Sequence, residues 1–417
     1  MKIMCAGGGP AGLYFAISAK LRDPRHEIEI VERNPAGETY GWGVTFSDSL
    51  LDSLYCNDPV SAQRMFDKRA SWHDQEVHVR RERAHLGGYG YAIGRQQLLD
   101  ILVDRALQLD VEIQFEREID DLSKVADADL VVACDGVNSH IRRLRHDRFR
   151  TDSVVGRNKY LWLGTDRMFR SFLFAFEETP AGWVWFYSYP YWADATTVIV
   201  ECSPDTWRGL GLDELGPEET LTMLEQIFAR HLDGHALVFP THDLRRVPWL
   251  NFTRITNGKW SHGNVVLLGD AAHTTHFSIG SGTTLAMKDA IELADSIDKD
   301  DELHAALASY EQKRRADIVE AQMAALNSAE WFENVPSYID QPITQFAYSL
   351  WKRRGHHPWW RYQLHLATQF SALRGVRRTV SAVRNERRAR RRCNGLSSDS
   401  AASFRVVRTT EGPTSGR

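Results

Sequence analysis

Cysteine is scarce in this chain, long apolar runs are missing, and neither sign of charge dominates. The five cysteines, Cys5, Cys56, Cys134, Cys202 and Cys393, are scattered over 417 residues without a Cys-x-x-Cys pair or a zinc-ligand spacing. They read as free thiols in a reducing, cytoplasmic setting, and no metal site is expected. No stretch approaches about twenty uninterrupted apolar residues, so a membrane span is not expected. The first residues run straight into a strand-like segment, without a basic leader or cleavage site. Lys and Arg number 51 against 55 Asp and Glu, a net charge of −4 that calls for no global partner of either sign. A Gly-x-Ser-x-Gly nucleophile elbow is also absent. What remains, 43% apolar and 25% charged residues, is ordinary for a globular enzyme of two domains with an appendage.

The first fifty residues carry the strongest motif. Lys2 to Ala6 reads as a buried strand, followed by Gly7-Gly8-Gly9-Pro10-Ala11-Gly12 and then the helical run Leu13 to Ile17. Gly7 suits the tight turn, Gly9 lets backbone approach a pyrophosphate, and Gly12 lets helix and strand pack closely. The helix N-terminus, with Pro10 and Ala11 in its first turn, attracts phosphate charge. A second strand, Glu27 to Val31, ends at Glu32 and Arg33, where Glu32 can accept hydrogen bonds from ribose hydroxyls. The motif predicts a dinucleotide without saying which one.

Two further strand-to-glycine segments narrow the choice. Asp129 to Cys134 is an apolar run ending in Asp135-Gly136, and Asn264 to Leu268 empties into Gly269-Asp270-Ala271-Ala272-His273. A dehydrogenase using only NAD needs the first motif alone. With all three in order over roughly residues 1 to 330, the chain resembles the single-component FAD-dependent aromatic hydroxylases of the para-hydroxybenzoate hydroxylase class.

That resemblance implies an α/β fold: a Rossmann-type FAD-binding domain with an inserted antiparallel β-sheet substrate domain and a C-terminal helical region. It implies that Asp270 holds the ribityl or ribose part of FAD, and that Gly280, Gly282 and Thr283 run under the isoalloxazine ring. Arg95 would reach FAD from a helix start, Asp135 would serve FAD and the pyridine nucleotide, and Gly41-Trp42-Gly43-Val44 would lie beside the ring. The class reduces FAD with NADH or NADPH and transfers oxygen from O₂ through a C4a-hydroperoxyflavin. Many members carry Pro-Pro after Gly-Asp-Ala-Ala-His, whereas this chain has Thr274-Thr275-His276-Phe277-Ser278. The variant is similar to a branch that includes salicylyl-CoA 5-hydroxylases, aminobenzoyl-CoA monooxygenases and the violacein-pathway tryptophan hydroxylases. The resemblance therefore implies an aryl-CoA thioester substrate, salicylyl-CoA giving gentisyl-CoA. Alternatives are a tryptophan-derived indole, a free phenol, or an FAD-binding protein without hydroxylase activity.

Between the second and third motifs the pattern turns to short β-rich runs, Ser171 to Phe176, Gly182 to Tyr187 and Thr196 to Glu201, with Glu76 to Arg81 and Gly88 to Ile93 as possible additions. The expected division is 1–72, 92–150 and 262–330 for FAD, 73–91 and 151–261 for substrate, 331–393 helical and Arg-rich, and 394–417 a disordered tail. Trp183 to Trp192 holds seven aromatics in ten residues. Sheet packing accounts for some of them; Trp185 and Tyr187 are the expected substrate walls, with His276 and Phe277 beside the ring. Among His73, His85, His273 and His276, the last is the catalytic candidate because of its loop. Nine arginines between Arg374 and Arg392 read as a solvated helix face, a patch for an anionic CoA tail, or a phosphate binder without a recognisable nucleic-acid module.

Overall fold

Two kinds of sheet build the protein, one largely parallel and carrying the glycine motifs, the other larger and carrying the aromatic run. The computed structural model describes residues 1–39, 41–240 and 249–355, with Leu366 and Gln369. The arginine run 374–392 and the tail 394–417 lie outside the described residues.

The first sheet has the order β15 (Ser261–His262), β16 (Val265–Leu267), β9 (Leu130–Ala133), β1 (Lys2–Ala6), β2 (Glu27–Val31), β8 (Glu112–Gln114), parallel except for the β15–β16 pair. Its central strands are continuous apolar runs because helices cover both faces of a parallel sheet. The helix Pro10–Arg22 packs against the helix Gly282–Lys299, so the two glycine loops that start them face one another. β1, β9 and β16 are neighbours, which brings all three strand-end motifs to the carboxyl edge of the sheet. Ligands of open α/β sheets bind at that edge.

The second sheet has the order β14 (Leu250–Asn257), β10 (Thr151–Thr165), β13 (Thr196–Cys202), β12 (Gly182–Pro190), β11 (Phe172–Thr179), β5 (Gln75–Val79), β6 (Glu82–His85). It is not wholly antiparallel, since β5 pairs parallel with β11. A small third sheet joins β3 (Gly43–Phe46), β7 (Gly90–Gly94) and β4 (Ala70–Trp72). The Gly88 to Ile93 run therefore leaves the seven-stranded layer and pairs with the Gly41–Val44 segment instead. One face of the large sheet is closed by the long helix Leu303–Glu333 and the helix Ile343–Lys352, through Trp331, Phe332, Phe346 and Leu350. The opposite face packs on Leu224, Phe228 and Leu232.

Candidate active site

The dinucleotide loop has the packing its glycines predict. A Cβ on Gly7, whose φ is +120°, would lie 2.4 Å from the Cys134 carbonyl oxygen, and one on Gly12 would lie 2.2 Å from the Gly7 oxygen. These two positions need glycine so that helix, loop and β9 can touch. Gly9 is different: a Cβ there meets nothing within 4 Å and would project into open space. That space leaves the loop backbone open to a pyrophosphate. The helix beginning at Pro10 and the helix beginning at Gly282 both lack a side-chain cap, so their first-turn N–H groups are open to an anionic ligand. Asp135 caps a turn through the His140 N–H at 2.6 Å with one carboxylate oxygen, while its other oxygen is buried without a partner.

Charged groups from every motif surround the same space. Glu32 accepts from the Gly8 N–H at 2.7 Å and leaves its other oxygen to Asn34, while Arg33 is exposed beside it. Arg95 donates from Nε to Thr39 at 2.9 Å, and its backbone N–H is held by the Trp42 carbonyl. Burial lowers the Arg95 guanidinium, against the opposing influence of Asp270 and Glu32. Asp270 is exposed at its strand end, yet the protein around it raises its carboxyl. His273, Arg95 and Arg142 partly offset that rise. Among the described residues these charges feel one another without forming ion pairs, as expected of groups arranged around a polar ligand. The residues fit FAD.

The loop after Asp270 is anchored without prolines. Thr274 Oγ1 accepts from the Ile255 N–H at 2.8 Å and donates to the Thr253 carbonyl, extending the edge of β14. Thr275 and Ser281 hydroxyls meet at 2.9 Å and close the loop. His273 joins Asp289 at 2.7 Å, and Arg314 binds the other oxygen of Asp289 at 2.8 Å, all three buried. Gly280 has φ +64° and faces Thr45, so the segment Gly41–Thr45 touches the loop from the opposite side. Val44 is buried in that strand, Gly43 donates to Thr197 and Tyr189 donates to the Gly43 carbonyl. Gly282 and Thr283 begin the next helix, and Gly269 at φ +62° lets the strand end pass Ala11.

A cavity of about 300 Å³ lies between this loop, β10, β14 and the long helix. Tyr160, Phe252, Phe277, Ala325 and Leu326 give it apolar walls, and Arg157 and Arg254 also line it. Phe277 packs on Tyr160 with ring centroids 4.4 Å apart. His276 lines it and is neutral, because burial and then the Arg353 charge lower its pKa to about 3. Its Nδ1 accepts from the Ser278 N–H and meets the Ser278 hydroxyl at 2.7 Å. The hydrogen therefore resides on Nε2, which has no hydrogen bond among the described residues. Behind it, Ser278 meets Ser328 at 2.6 Å, and buried Arg353 donates to Ser328 at 2.9 Å and to the Ser278 carbonyl at 3.1 Å.

Trp185 and Tyr187, the expected substrate walls, do not line this cavity. Both are 2% exposed, because the long helix lays Phe332 over them and Phe277 covers Tyr187. Their hydrogen-bonding ends instead hold a residue that sequence reasoning missed, Glu201 of β13. Its Oε1 accepts from Asn158 at 2.7 Å, and its Oε2 accepts from the Trp185 indole at 3.3 Å and the Tyr187 hydroxyl at 3.5 Å. Burial raises this carboxyl to about 7, and Glu333 adds to the rise. Asn158 reaches it from an irregularity in β10 between Val155 and Lys159, where Asn251 satisfies the carbonyls of residues 156 to 158. The available signals were a lone Glu in the apolar run Thr196–Cys202 and a glycine, Gly156, inside a strand. Asp74, Glu76 and His85 form the one cluster with metal-ligand spacing among the described residues, but His85 and two backbone N–H groups already bind Asp74.

A Rossmann sheet with three glycine-bearing strand ends, joined to a large mixed sheet over an apolar cavity, defines a flavoprotein of the aromatic monooxygenase class. Residues 1–325 match the family described as FAD binding domain, and the chain belongs to that family. Salicyloyl-CoA 5-hydroxylase from a Streptomyces species is 39% identical over 361 residues, 84% of this chain and 69% of that protein. A 3-hydroxy-4-methyl-anthranilyl-[aryl-carrier protein] 5-monooxygenase from Streptosporangium sibiricum is 35% identical, over 90% of this chain and 100% of that protein. Protodeoxyviolaceinate monooxygenase from Chromobacterium violaceum is 30% identical, over 86% and 96%. The tetrameric form of 2-methyl-3-hydroxypyridine-5-carboxylic acid oxygenase superposes with a TM-score of 0.68 at 19% identity, covering 85% of this chain and 95% of that one, a likeness of fold. The protein is an FAD-dependent aromatic monooxygenase, with NAD(P)H as reductant and O₂ as co-substrate. No helix among the described residues is long and apolar enough to cross a membrane.

Proposed function

We propose that this monooxygenase hydroxylates a phenolic ring carried as a thioester, with salicyloyl-CoA as the substrate and gentisyl-CoA as the product. The observation that carries the reading is the apolar cavity against the His276–Phe277 turn, sized for an aryl group, taken with the 39% identical relative. Bound FAD supplies the redox and oxygen-transfer chemistry, which is the cofactor's own. The residues of this chain that would hold it are Gly7, Gly9, Pro10, Ala11, Gly12, Glu32, Arg33, Arg95, Asp135, Gly269, Asp270, Gly280, Gly282 and Thr283, with Val44 beside the ring.

The protein's share is position and dryness. Phe277, Tyr160 and Phe252 would pack on the faces of the ring and keep water out. The Nε2–H of His276 would donate to the thioester carbonyl or another acceptor on the substrate, a fixed donor because the imidazole stays neutral across the working range. Arg157 and Arg254 would meet phosphates of the CoA tail.

A second reading is favoured by the full-length match to the enzyme named for an aryl-carrier protein, which makes a protein-bound thioester an alternative carrier. A panel of salicyloyl-CoA, salicyloyl-pantetheine, a salicyl-loaded carrier protein, free salicylate and free indoles decides between them, read as NAD(P)H oxidation matched to hydroxylated product. Turnover of free phenols or indoles with no response to any thioester would defeat the proposal.

A further inference from the structure

Resting on the reading of a phenolic substrate, we propose that Glu201 is the proton acceptor for the ring hydroxyl in the cavity beside Phe277. The carboxylate has room for about four hydrogen bonds, and three neighbours supply donors: Asn158, Trp185 and Tyr187. All three donate, so the pocket is arranged for the anionic carboxylate and leaves one acceptor position for a further donor. Glu201 lines the cavity, so the remaining position would serve a donor on whatever enters it.

The step is a proton transfer. The substrate O–H bond breaks, a Glu201 O–H bond forms, and the electron pair stays on the substrate oxygen. That pair delocalises into the ring and raises electron density at the para carbon, the position oxygenated in the proposed reaction. The oxidant is the O₂ already required by the monooxygenase reaction. A general base works best with a pKa near the operating pH, and burial brings this carboxyl to about 7.

The groups facing Glu201 set that balance. Asn158 and Tyr160 come from β10, Trp185 and Tyr187 from β12, His276 from the loop, and Glu330 and Glu333 from the long helix. Arg353 contributes a buried positive charge from the following helix, and Arg157 and Arg254 line the same cavity. Asn158, Trp185, Tyr187 and Arg353 favour the anion, whereas burial and Glu333 oppose it.

The test uses the FAD-loaded protein, salicyloyl-CoA and the variants Glu201→Gln and Asn158→Leu. Substrate affinity is read from the flavin spectrum, the bound phenol from its ultraviolet difference band, and product from chromatography, each between pH 5.5 and 9. In the wild type a phenolate band and the hydroxylation rate should rise together through about pH 7. Glu201→Gln should lose that step, with kcat lower by about 10²–10⁴-fold and substrate affinity changed by less than about fivefold. Asn158→Leu removes a donor that favours the anion and should move the step to higher pH. A Glu201→Gln enzyme with the wild-type rate and band overturns the assignment; if that variant loses its flavin, an unmoved step in Asn158→Leu overturns it instead. Thioester turnover that survives in Glu201→Gln sinks Glu201 but spares the substrate reading. A wild type that ignores thioesters and hydroxylates free salicylate sinks the thioester reading, and Glu201 is then judged on salicylate by the same two variants.

Discussion

Glu201 makes a stability prediction that is independent of turnover. Its carboxyl is raised in the folded protein from 4.5 to about 7 by burial. A raised carboxyl contributes its full stability below the unfolded value, and that contribution is lost as pH climbs through the folded value. Linkage puts the loss between pH 5 and pH 8 at about 2–3 kcal/mol. Glutamine stays neutral and keeps an acceptor for Asn158, so Glu201→Gln should be spared this decline. With an unfolding entropy of about 2.1 cal/mol/K per residue, the gap between variant and wild type should widen by ~3 °C in Tm over that range. Thermal scans of both FAD-loaded proteins at one scan rate, at half-unit pH steps, measure it; every other titrating group cancels in the difference. Parallel curves would refute the reasoning, because they would mean that the carboxyl is already ionised at pH 5.

Other substitutions separate cofactor from scaffold. Gly9→Val points its side chain into the open cleft, so FAD content should fall by at least about tenfold while circular dichroism is unchanged; Gly12→Ala, 2.2 Å from the Gly7 oxygen, should instead reduce soluble yield. Arg95→Leu and Asp270→Asn should each weaken FAD retention on dilution, measured by flavin fluorescence, and unchanged retention would remove those residues from the cofactor site. Asp289→Asn breaks a buried ion pair with Arg314 and the link to His273, and should cost about 3–5 kcal/mol in urea unfolding.

The legible parts of the site were those with local patterns. Gly7, Gly9 and Gly12 lie in one turn between a strand and a helix, and Asp135 and Asp270 each end an apolar run, so chain neighbours alone point to them as cofactor residues. The aromatic run is a strand, as its composition suggested, yet Trp185 and Tyr187 do not line the cavity. Alternation puts Trp185 and Tyr187 on one face, but a helix more than a hundred residues later covers that face with Phe332. Glu201 was illegible because its partners, Asn158 on one neighbouring strand and Trp185 and Tyr187 on the other, are distant in the chain and meet only through strand order.

By itself, then, the sequence determined the class of cofactor and the Rossmann half of the fold, since a phosphate-binding turn is made of consecutive residues whose backbone must bend in one place. The tertiary structure alone decided which side chains line the cavity proposed for the substrate. Burial, the neutral state of His276 and the raised carboxyl of Glu201 depend on what packs against them from elsewhere in the chain, and desolvation is a property of the assembled surroundings.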